Sequence, residues 1–132
     1  MFETLLRRRL KGDEKGFTLI ELLVVIIILG ILVAIAVPSY LSFKGKANTS
    51  AAASDLRALV PSIEAYYSDQ GTYAGMTPTV LHTTYDQSIN TALYSLTSLT
   101  ASSYCAKATV NGTTAYKNGP SGQVLTTGTA CT

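Results

Sequence analysis

The hydrophobic positions of the chain begin with one long run. Residues 17–37 read FTLIELLVVIIILGILVAIAV, and Glu21 is the only ionisable side chain among them. About 20 apolar residues are enough to cross a bilayer as a helix, so the length of the run permits a membrane span. An acidic side chain within such a run costs about 2.5–3.5 kcal/mol on insertion scales and usually has a function. Hydrophobicity alone therefore does not account for Glu21.

After Pro38 the apolar positions become periodic. They follow the spacing of one helix face: Ala52, Leu56, Leu59, Val60, Ile63 and Tyr67. Gly71 is suited to the left-handed residue that ends a helix. The pattern predicts one helix from Phe17 to about Ser68, apolar on all sides in its first half and amphipathic in its second. Pro38 and Pro61 each remove a backbone donor, so kinks are predicted at both.

Beyond Gly71 the pattern changes to short strands and turns. A loop is predicted at 72–90. Residues 92–99 fit a strand or a short helix, and their Thr and Tyr content favours the strand. Further strands are predicted at 104–110, 113–116 and 123–126, with turns at Asn111-Gly112 and at Gly119-Pro120-Ser121-Gly122. The predicted fold class is α+β: a long N-terminal helix, hydrophobic and then amphipathic, packed on a small antiparallel sheet of three or four strands.

The charges divide the chain into a basic leader and a neutral body. Residues 1–16 contain five basic side chains against three acidic ones: Arg7, Arg8, Arg9, Lys11 and Lys15 against Glu3, Asp13 and Glu14. From Phe17 onward five basic residues balance five acidic ones, so the net charge of +2 lies in the leader. The basic excess before the apolar run predicts a cytoplasmic N-terminus and an exported remainder. A neutral body argues against a nucleic-acid-binding protein, and no specific nucleic-acid site is recognisable.

The candidate reactive side chains are few. Cys105 and Cys131 are the two cysteines, and an even pair downstream of an export segment predicts a disulfide. His82 is the one histidine. The sequence offers no nucleophile–base pair and no metal-ligand set, so we expect neither an enzyme nor a metal or cofactor site.

Three interpretations of the apolar run compete. A cleaved secretory signal would explain the small residues Ala34 and Ala36, but the run is longer than a typical signal core and contains Glu21. A plain single-pass anchor explains the hydrophobicity and leaves Glu21 unexplained. The third interpretation rests on the residues that lead into the run.

The segment KGFTLIE at residues 15–21 resembles the processing motif of the type IV pilin and type II pseudopilin superfamily, and the resemblance continues to Tyr40. It implies a prepilin that a membrane-embedded aspartic peptidase cuts at the Gly16–Phe17 bond. The same enzyme would methylate the new amine of Phe17. The resemblance also implies that Glu21 pairs with the N-terminal amine of a neighbouring subunit as a filament grows.

Elementary chemistry is consistent with these implied roles. Gly16 leaves the scissile bond without a side chain on one flank, so a peptidase can approach the backbone closely. Cleavage frees a cationic amine on Phe17, and the Glu21 carboxylate can offset the cost of burying it. Apolar stripes pack in several offsets, whereas a buried charge pair is satisfied in only one. Glu21 would therefore set the register of helix packing.

The resemblance implies the pilin lollipop, in four segments. These are a cleaved leader (1–16), a transmembrane and filament-core segment (17–37), the amphipathic half of the helix (38–70) and a β-rich head with a C-terminal disulfide loop (71–132). The implied partners are further copies of the chain through their N-terminal helices, a prepilin peptidase/methyltransferase and a membrane assembly machinery. The precursor would lie in the bacterial cytoplasmic membrane, and the filament outside the cell.

The function implied is a structural subunit of a type IV pilus, serving adhesion, twitching motility or DNA uptake. A pseudopilin of a type II secretion system is the alternative, and a membrane-anchored ectodomain that never polymerises is a more remote one. The cysteine pair favours the pilus. Major pseudopilins usually lack that pair and carry an acidic calcium loop, whereas no acidic residue follows Asp86 here.

Overall fold

The computed structural model describes residues 16–128 and Cys131, so the predicted leader lies outside the described residues apart from Gly16. The longest element is helix α1, Leu19–Gln70, with 52 residues. The predicted long helix is confirmed, with both ends slightly later in the chain than expected. The chain divides into two compact units, one ending at Tyr40 and the other beginning at Leu41.

The first unit leaves its apolar side chains uncovered. Every large apolar residue from Phe17 to Val37 is at least 47% exposed. By its length and composition, the helix is apolar enough to cross a membrane. Soluble monomers rarely expose a contiguous apolar surface of this extent, so these side chains require a covering from outside the described residues.

Both helix prolines lie inside α1. The helix continues through Pro38 and Pro61 without a break, and both residues are exposed. Because a helix can bend at a proline without ending there, the kinks at these two positions stay predictions.

The second unit combines the C-terminal half of α1 with an antiparallel sheet. Its strands are β1 (Tyr94–Thr97), β2 (Tyr104–Val110), β3 (Thr113–Gly119) and β4 (Val124–Leu125). They lie side by side in the order β1-β2-β3-β4, so β1 and β4 are the two edges. Asn111 and Gly112 form the turn between β2 and β3 with φ values of 48° and 81°. Two positive φ values in a two-residue turn match the predicted hairpin.

The core of the second unit contains one face of α1 and alternate residues of the sheet. On α1 the buried residues at helical spacing are Ala52, Leu56, Leu59, Ile63 and Tyr66. On β2 and β3 they are Tyr104, Ala106, Ala108 and Ala115. Small side chains on the strands leave room for the larger ones of the helix. The α+β class with a small antiparallel sheet is confirmed.

The prediction of which apolar residues lie on the buried face of α1 is wrong at the C-terminal end of the helix. Tyr66, and not Tyr67, is buried, because a repeat of about 3.6 residues counted from Ala52 returns near position 66. Tyr67 is 37% exposed and stacks on Tyr73, with the two ring centroids 4.4 Å apart. Val60 is only partly buried, whereas Ser62 is buried.

The loop predicted at 72–90 contains helical turns, so that prediction is wrong in part. Helix α2 (Pro78–Val80) leads into a π-helical turn (Leu81–Tyr85), and a 3₁₀ turn (Thr91–Leu93) precedes β1. Met76, Leu81 and Ile89 of this region are buried in the core. Residues 92–99 therefore combine the two forms that their sequence allowed, with the strand beginning at Tyr94.

Two predicted features at the ends of elements are confirmed. Gly71 has a φ of +67°, and its N–H donates to the Tyr67 carbonyl at 2.8 Å, which ends α1 in the left-handed conformation. Cys105 and Cys131 form a disulfide with their Cα atoms 5.6 Å apart, within the ordinary range. The disulfide attaches buried β2 to the C-terminal segment.

Candidate processing and assembly site

The residues of the processing motif meet at the start of α1. Thr18 immediately precedes the helix, and Glu21 lies in its first turn. The Thr18 N–H donates to Glu21 Oε2 at 2.7 Å, and the Thr18 hydroxyl donates to the same oxygen at 2.9 Å. In return the Glu21 N–H donates to Thr18 Oγ1 at 3.3 Å. This reciprocal arrangement is a capping box, which satisfies backbone donors that a helix start leaves unpaired.

The capping box gives Glu21 a contact within its own chain that the sequence analysis missed. The signal was present, because a threonine followed three residues later by a glutamate before an apolar run is the capping-box pattern. Both Thr18 donors reach Oε2, and Oε1 accepts no hydrogen bond from the described residues. One oxygen of the carboxylate is therefore available to a further donor.

Phe17 and Glu21 border an apolar cleft on the surface of the first unit. The cleft has a volume of about 310 Å³ and is lined by Phe17, Glu21, Leu22 and Val25. Phe17 is 88% exposed. The aromatic ring and the carboxylate are thus both accessible to a partner from outside the chain.

Gly16 has no steric reason within the described chain to be glycine. A Cβ at this position would meet no heavy atom within 4 Å. Gly119 differs, because a Cβ there would overlap the ring of Tyr104 on the facing strand. A requirement for glycine at position 16 would therefore come from a partner, such as a peptidase bound to the Gly16–Phe17 bond.

Hydrolysis of the Gly16–Phe17 bond would leave the first turn of α1 intact. The bond precedes both the capping box and the first backbone hydrogen bond of the turn, from the Leu22 N–H to the Thr18 carbonyl at 3.3 Å. A cationic amine on Phe17 would then lie near a helix N-terminus, where the helix dipole disfavours positive charge. The Glu21 carboxylate in the same turn can offset that cost.

The second unit contains several partly or fully buried polar side chains. Among the residues that the structure describes, no group of three or more His, Cys, Asp or Glu side chains could hold a metal ion. The Tyr73 hydroxyl donates to the Glu64 carboxylate at 3.2 Å, and burial together with Glu64 raises the pKa of Tyr73. The Tyr104 hydroxyl and His82 Nδ1 are buried without a hydrogen-bond partner among the described residues. Tyr73 and Tyr104 belong to the packed core.

Comparison with known proteins finds a family match that includes Gly16, Phe17 and Glu21. Residues 11–37 match a family model described as the prokaryotic N-terminal methylation motif. The chain is 34% identical over 104 residues to the type IV wide pilus major component PilA4 of Thermus thermophilus, covering 79% of each chain. It is 38% identical over 66 residues to the type IV major pilin protein PilA of Myxococcus xanthus, covering 50% of this chain and 30% of that protein. It is 43% identical over 63 residues to the type II secretion system core protein G of Aeromonas hydrophila, covering 48% of this chain and 44% of that protein.

The chain belongs to the superfamily of type IV pilins and type II pseudopilins. The fold and the methylation motif fit this class, and the Thermus thermophilus relative is matched over most of both chains. The relatives are named as pilus and secretion-system components, and the family model matched by residues 11–37 describes a methylation motif. The chain matches less than half the length of the Myxococcus xanthus relative and of the fimbrial protein EcpC of Eikenella corrodens, at 30% and 42%.

Proposed function

We propose that the chain is the precursor of a type IV pilus subunit, cut at the Gly16–Phe17 bond and methylated on Phe17. The position of this bond carries the proposal. It precedes the capped start of α1 and lies within residues 11–37, which match the methylation motif. Removal of the leader 1–16 takes away the basic excess of the chain. The apolar segment 17–37 then forms the beginning of the mature subunit.

The exposed apolar segment supports two successive locations for the subunit. Before assembly, residues 17–37 would hold it in the bacterial cytoplasmic membrane, with residues 38–70 and the head 71–132 exported. In the filament, the same side chains would pack against those of other copies outside the cell. Both environments cover the apolar surface that the chain leaves exposed. The transfer would require the peptidase and an assembly machinery in the membrane.

Glu21 is the residue that we propose sets the register of the filament. Its Oε1 is open to the methylated amine of a neighbouring Phe17, while Oε2 keeps its Thr18 donors. A buried charge that loses its partner costs about 3–5 kcal/mol, so offsets between helices that separate the pair are disfavoured. The surrounding Leu, Val and Ile side chains would supply cohesion in every offset.

The pilus is favoured over the type II secretion pseudopilus by the extent of the matches and by the disulfide. The pilus component of Thermus thermophilus is matched over 79% of this chain, whereas core protein G is matched over 48%. The Cys105–Cys131 bond and the lack of an acidic residue after Asp86 also fit a pilin head. Adhesion, twitching motility and DNA uptake are the corresponding activities. The pseudopilin is the second candidate, supported by its 43% identity over 63 residues.

Shearing cells that express the full chain tests this proposal. We expect long fibres in the supernatant, and mass spectrometry should find their subunits beginning at N-methylated Phe17. Short fibres seen only on overexpression would favour the pseudopilin. A membrane-retained chain that still begins at Met1 would contradict processing and assembly together.

Glu21→Val tests the register role within the same system. The variant should insert in the membrane as the wild type does and yield at least about tenfold less fibre, since an unpaired buried amine is costly. Ile20→Val is the matched control, because it changes the neighbouring apolar residue and leaves the charge in place. Fibres at wild-type yield from Glu21→Val would contradict the role of Glu21.

A further inference from the structure

Acidic side chains of the second unit lie beside edge strand β1. The Tyr94 hydroxyl on β1 donates to the backbone carbonyl of Asp55 on α1 at 3.1 Å. Burial, together with the carboxylates of Asp55 and Asp86, raises the pKa of Tyr94. Both carboxylates therefore lie close enough to β1 to act on its first residue.

Basic side chains lie beside the other edge strand, β4. A cavity of about 400 Å³ is lined by Arg57 of α1 and Lys117 of β3 together with Val124 of β4. A second cavity of about 560 Å³ shares Arg57 and adds Lys46 and Thr126, which directly follows β4. We call Lys46, Arg57 and Lys117, together with these two cavities, the basic groove.

Helix geometry explains why the two signs of charge separate. Asp55 and Arg57 are two residues apart, and each residue of an α-helix turns by about 100°, so their side chains leave α1 about 200° apart. One therefore points toward the β1 side of the sheet and the other toward the β4 side. These strands are at opposite edges of the sheet, since the order is β1-β2-β3-β4.

Most acidic groups of the second unit already have partners within the chain. Glu64 accepts a hydrogen bond from Tyr73, and Asp86 accepts one from the hydroxyl of Ser88 at 2.6 Å. Asp69 lies near Tyr85, whose pKa is raised by burial and by this carboxylate. Asp55 differs, because its carboxylate forms no hydrogen bond or ion pair with the other described residues.

The same distinction holds within the basic groove. Lys117 is only 8% exposed, and its ammonium donates to the carbonyls of Pro120 and Gly122 in the turn before β4. Lys46 and Arg57 are exposed, and neither side chain pairs with another group in the described part of the chain. An unpaired guanidinium beside a cavity is suited to bind a carboxylate through two parallel hydrogen bonds.

We infer that Arg57 and Lys46 of one copy bind Asp55 of a neighbouring copy, so that the β4 edge of each subunit docks against the β1 edge of the next. This inference rests on the proposed function, because it requires that the copies assemble. The contact uses two different surfaces of the same molecule. Such a head-to-tail interface repeats without limit unless the ring closes, as a filament requires. Asp86 adds to the negative potential of the β1 edge, and Lys117 to the positive potential of the groove.

Charge reversal in the full chain tests the inference. Arg57→Asp places a carboxylate opposite Asp55 of the neighbouring copy, and we expect the yield of sheared fibre to fall about tenfold because facing like charges are strongly disfavoured. The double variant Asp55→Arg/Arg57→Asp restores opposite charges across the interface. Its fibre yield should return to within about threefold of wild type, as coupled residues of a double-mutant cycle do. Lys44→Asp is the control, since it makes the same reversal on α1 outside the groove and should leave the yield unchanged.

Two measurements separate failure of this interface from other failures. The cell-associated level of each variant, with its Cys105–Cys131 bond intact on non-reducing gels, shows that the head has folded. In addition, the variant Asp55→Cys/Arg57→Cys should produce a ladder of disulfide-linked multimers in sheared fibres, which neither single variant produces. Normal fibre yield from Arg57→Asp, or a double reversal that assembles no better than Arg57→Asp, would overturn the interface and leave the proposed function standing. A wild-type chain that forms no fibre would overturn both.

Discussion

The two halves of helix α1 contain similar apolar residues and differ in what covers them. Leu29 in the first half is 53% exposed, whereas Leu56 in the second half is fully buried. The second half packs on the sheet, so its side chains stabilise the fold of their own chain. The first half has no covering of its own within the described chain. Its apolar side chains therefore contact the surroundings of the chain, which we propose are first the membrane and then other copies.

The strongest test of this comparison is a matched pair of leucine truncations. Leu56→Ala should lower the free energy of unfolding of the head by about 2–5 kcal/mol, because it leaves a cavity in the core. Leu29→Ala should change the same quantity by no more than about 0.5 kcal/mol, as exposed substitutions usually do. Guanidinium unfolding of the full chain in detergent, followed by near-ultraviolet circular dichroism, measures both. Equal losses from the two variants would contradict the division of roles.

A second test removes the disulfide, which constrains the second unit alone. Replacing Cys105 and Cys131 by serine should lower the free energy of unfolding of the head by about 3–4 kcal/mol, since the bond closes a loop of moderate length. Insertion of residues 17–37 in the membrane should be unaffected. Denaturant unfolding of the variant, with the oxidised wild type as the reference, measures the loss, and reduced wild type should match the variant. A loss below about 1 kcal/mol would mean that the bond adds little to the head.

A third and smaller effect should appear at alkaline pH. Burial raises the pKa of the Tyr104 hydroxyl, so the folded head favours the neutral phenol above the usual value of about 10. The stability that this preference gives the folded head is complete below about pH 10 and is lost as the pH rises through the folded-state pKa. Tyr104→Phe should weaken the alkaline loss of stability, which Tyr73 still causes in part. Near neutral pH it should raise stability by up to about 1–3 kcal/mol, because it removes a buried hydroxyl that has no partner.

Tyr40→Phe is the control for the alkaline test, because Tyr40 is 66% exposed at the end of the first unit. Melting temperatures between pH 8 and pH 11 should then separate the two variants. If Tyr104→Phe melts with the same pH profile as the wild type and as Tyr40→Phe, the assignment of the effect to the buried phenol is wrong.

The features predicted correctly from the sequence depend on residues that are close in the chain. The Asn111-Gly112 turn and the end of α1 at Gly71 each follow from the left-handed conformation of one or two residues. The processing motif is equally local. The capping box of Thr18 and Glu21 is local too, although it was not predicted. The disulfide followed from the number of cysteines and the expected export.

Apart from the capping box, the features that were missed depend on contacts between distant residues. Leu81 and Ile89 are buried in the core, and their burial accompanies helical turns in a region whose local sequence predicts only a loop. Tyr66 and Tyr67 are chemically identical, so only the accumulated helix rotation decides which one is buried. The basic groove is similar, since Arg57 and Lys117 come together only when β3 and β4 pack beside α1. No spacing along the chain predicts that proximity.

The hydrogen bonds from Thr18 to Glu21 would affect the speed and selectivity of the assembly that we propose. A free glutamate side chain samples many rotamers, and ordering it at an interface costs about 0.5–1.5 kcal/mol. Here the N–H and hydroxyl of Thr18 already hold Oε2, so this ordering occurs when the helix start forms. If Glu21 pairs with the amine of a neighbouring subunit as we propose, that amine would meet a carboxylate of fixed direction. A subunit whose helix start has unravelled would present no such acceptor and would therefore assemble less readily.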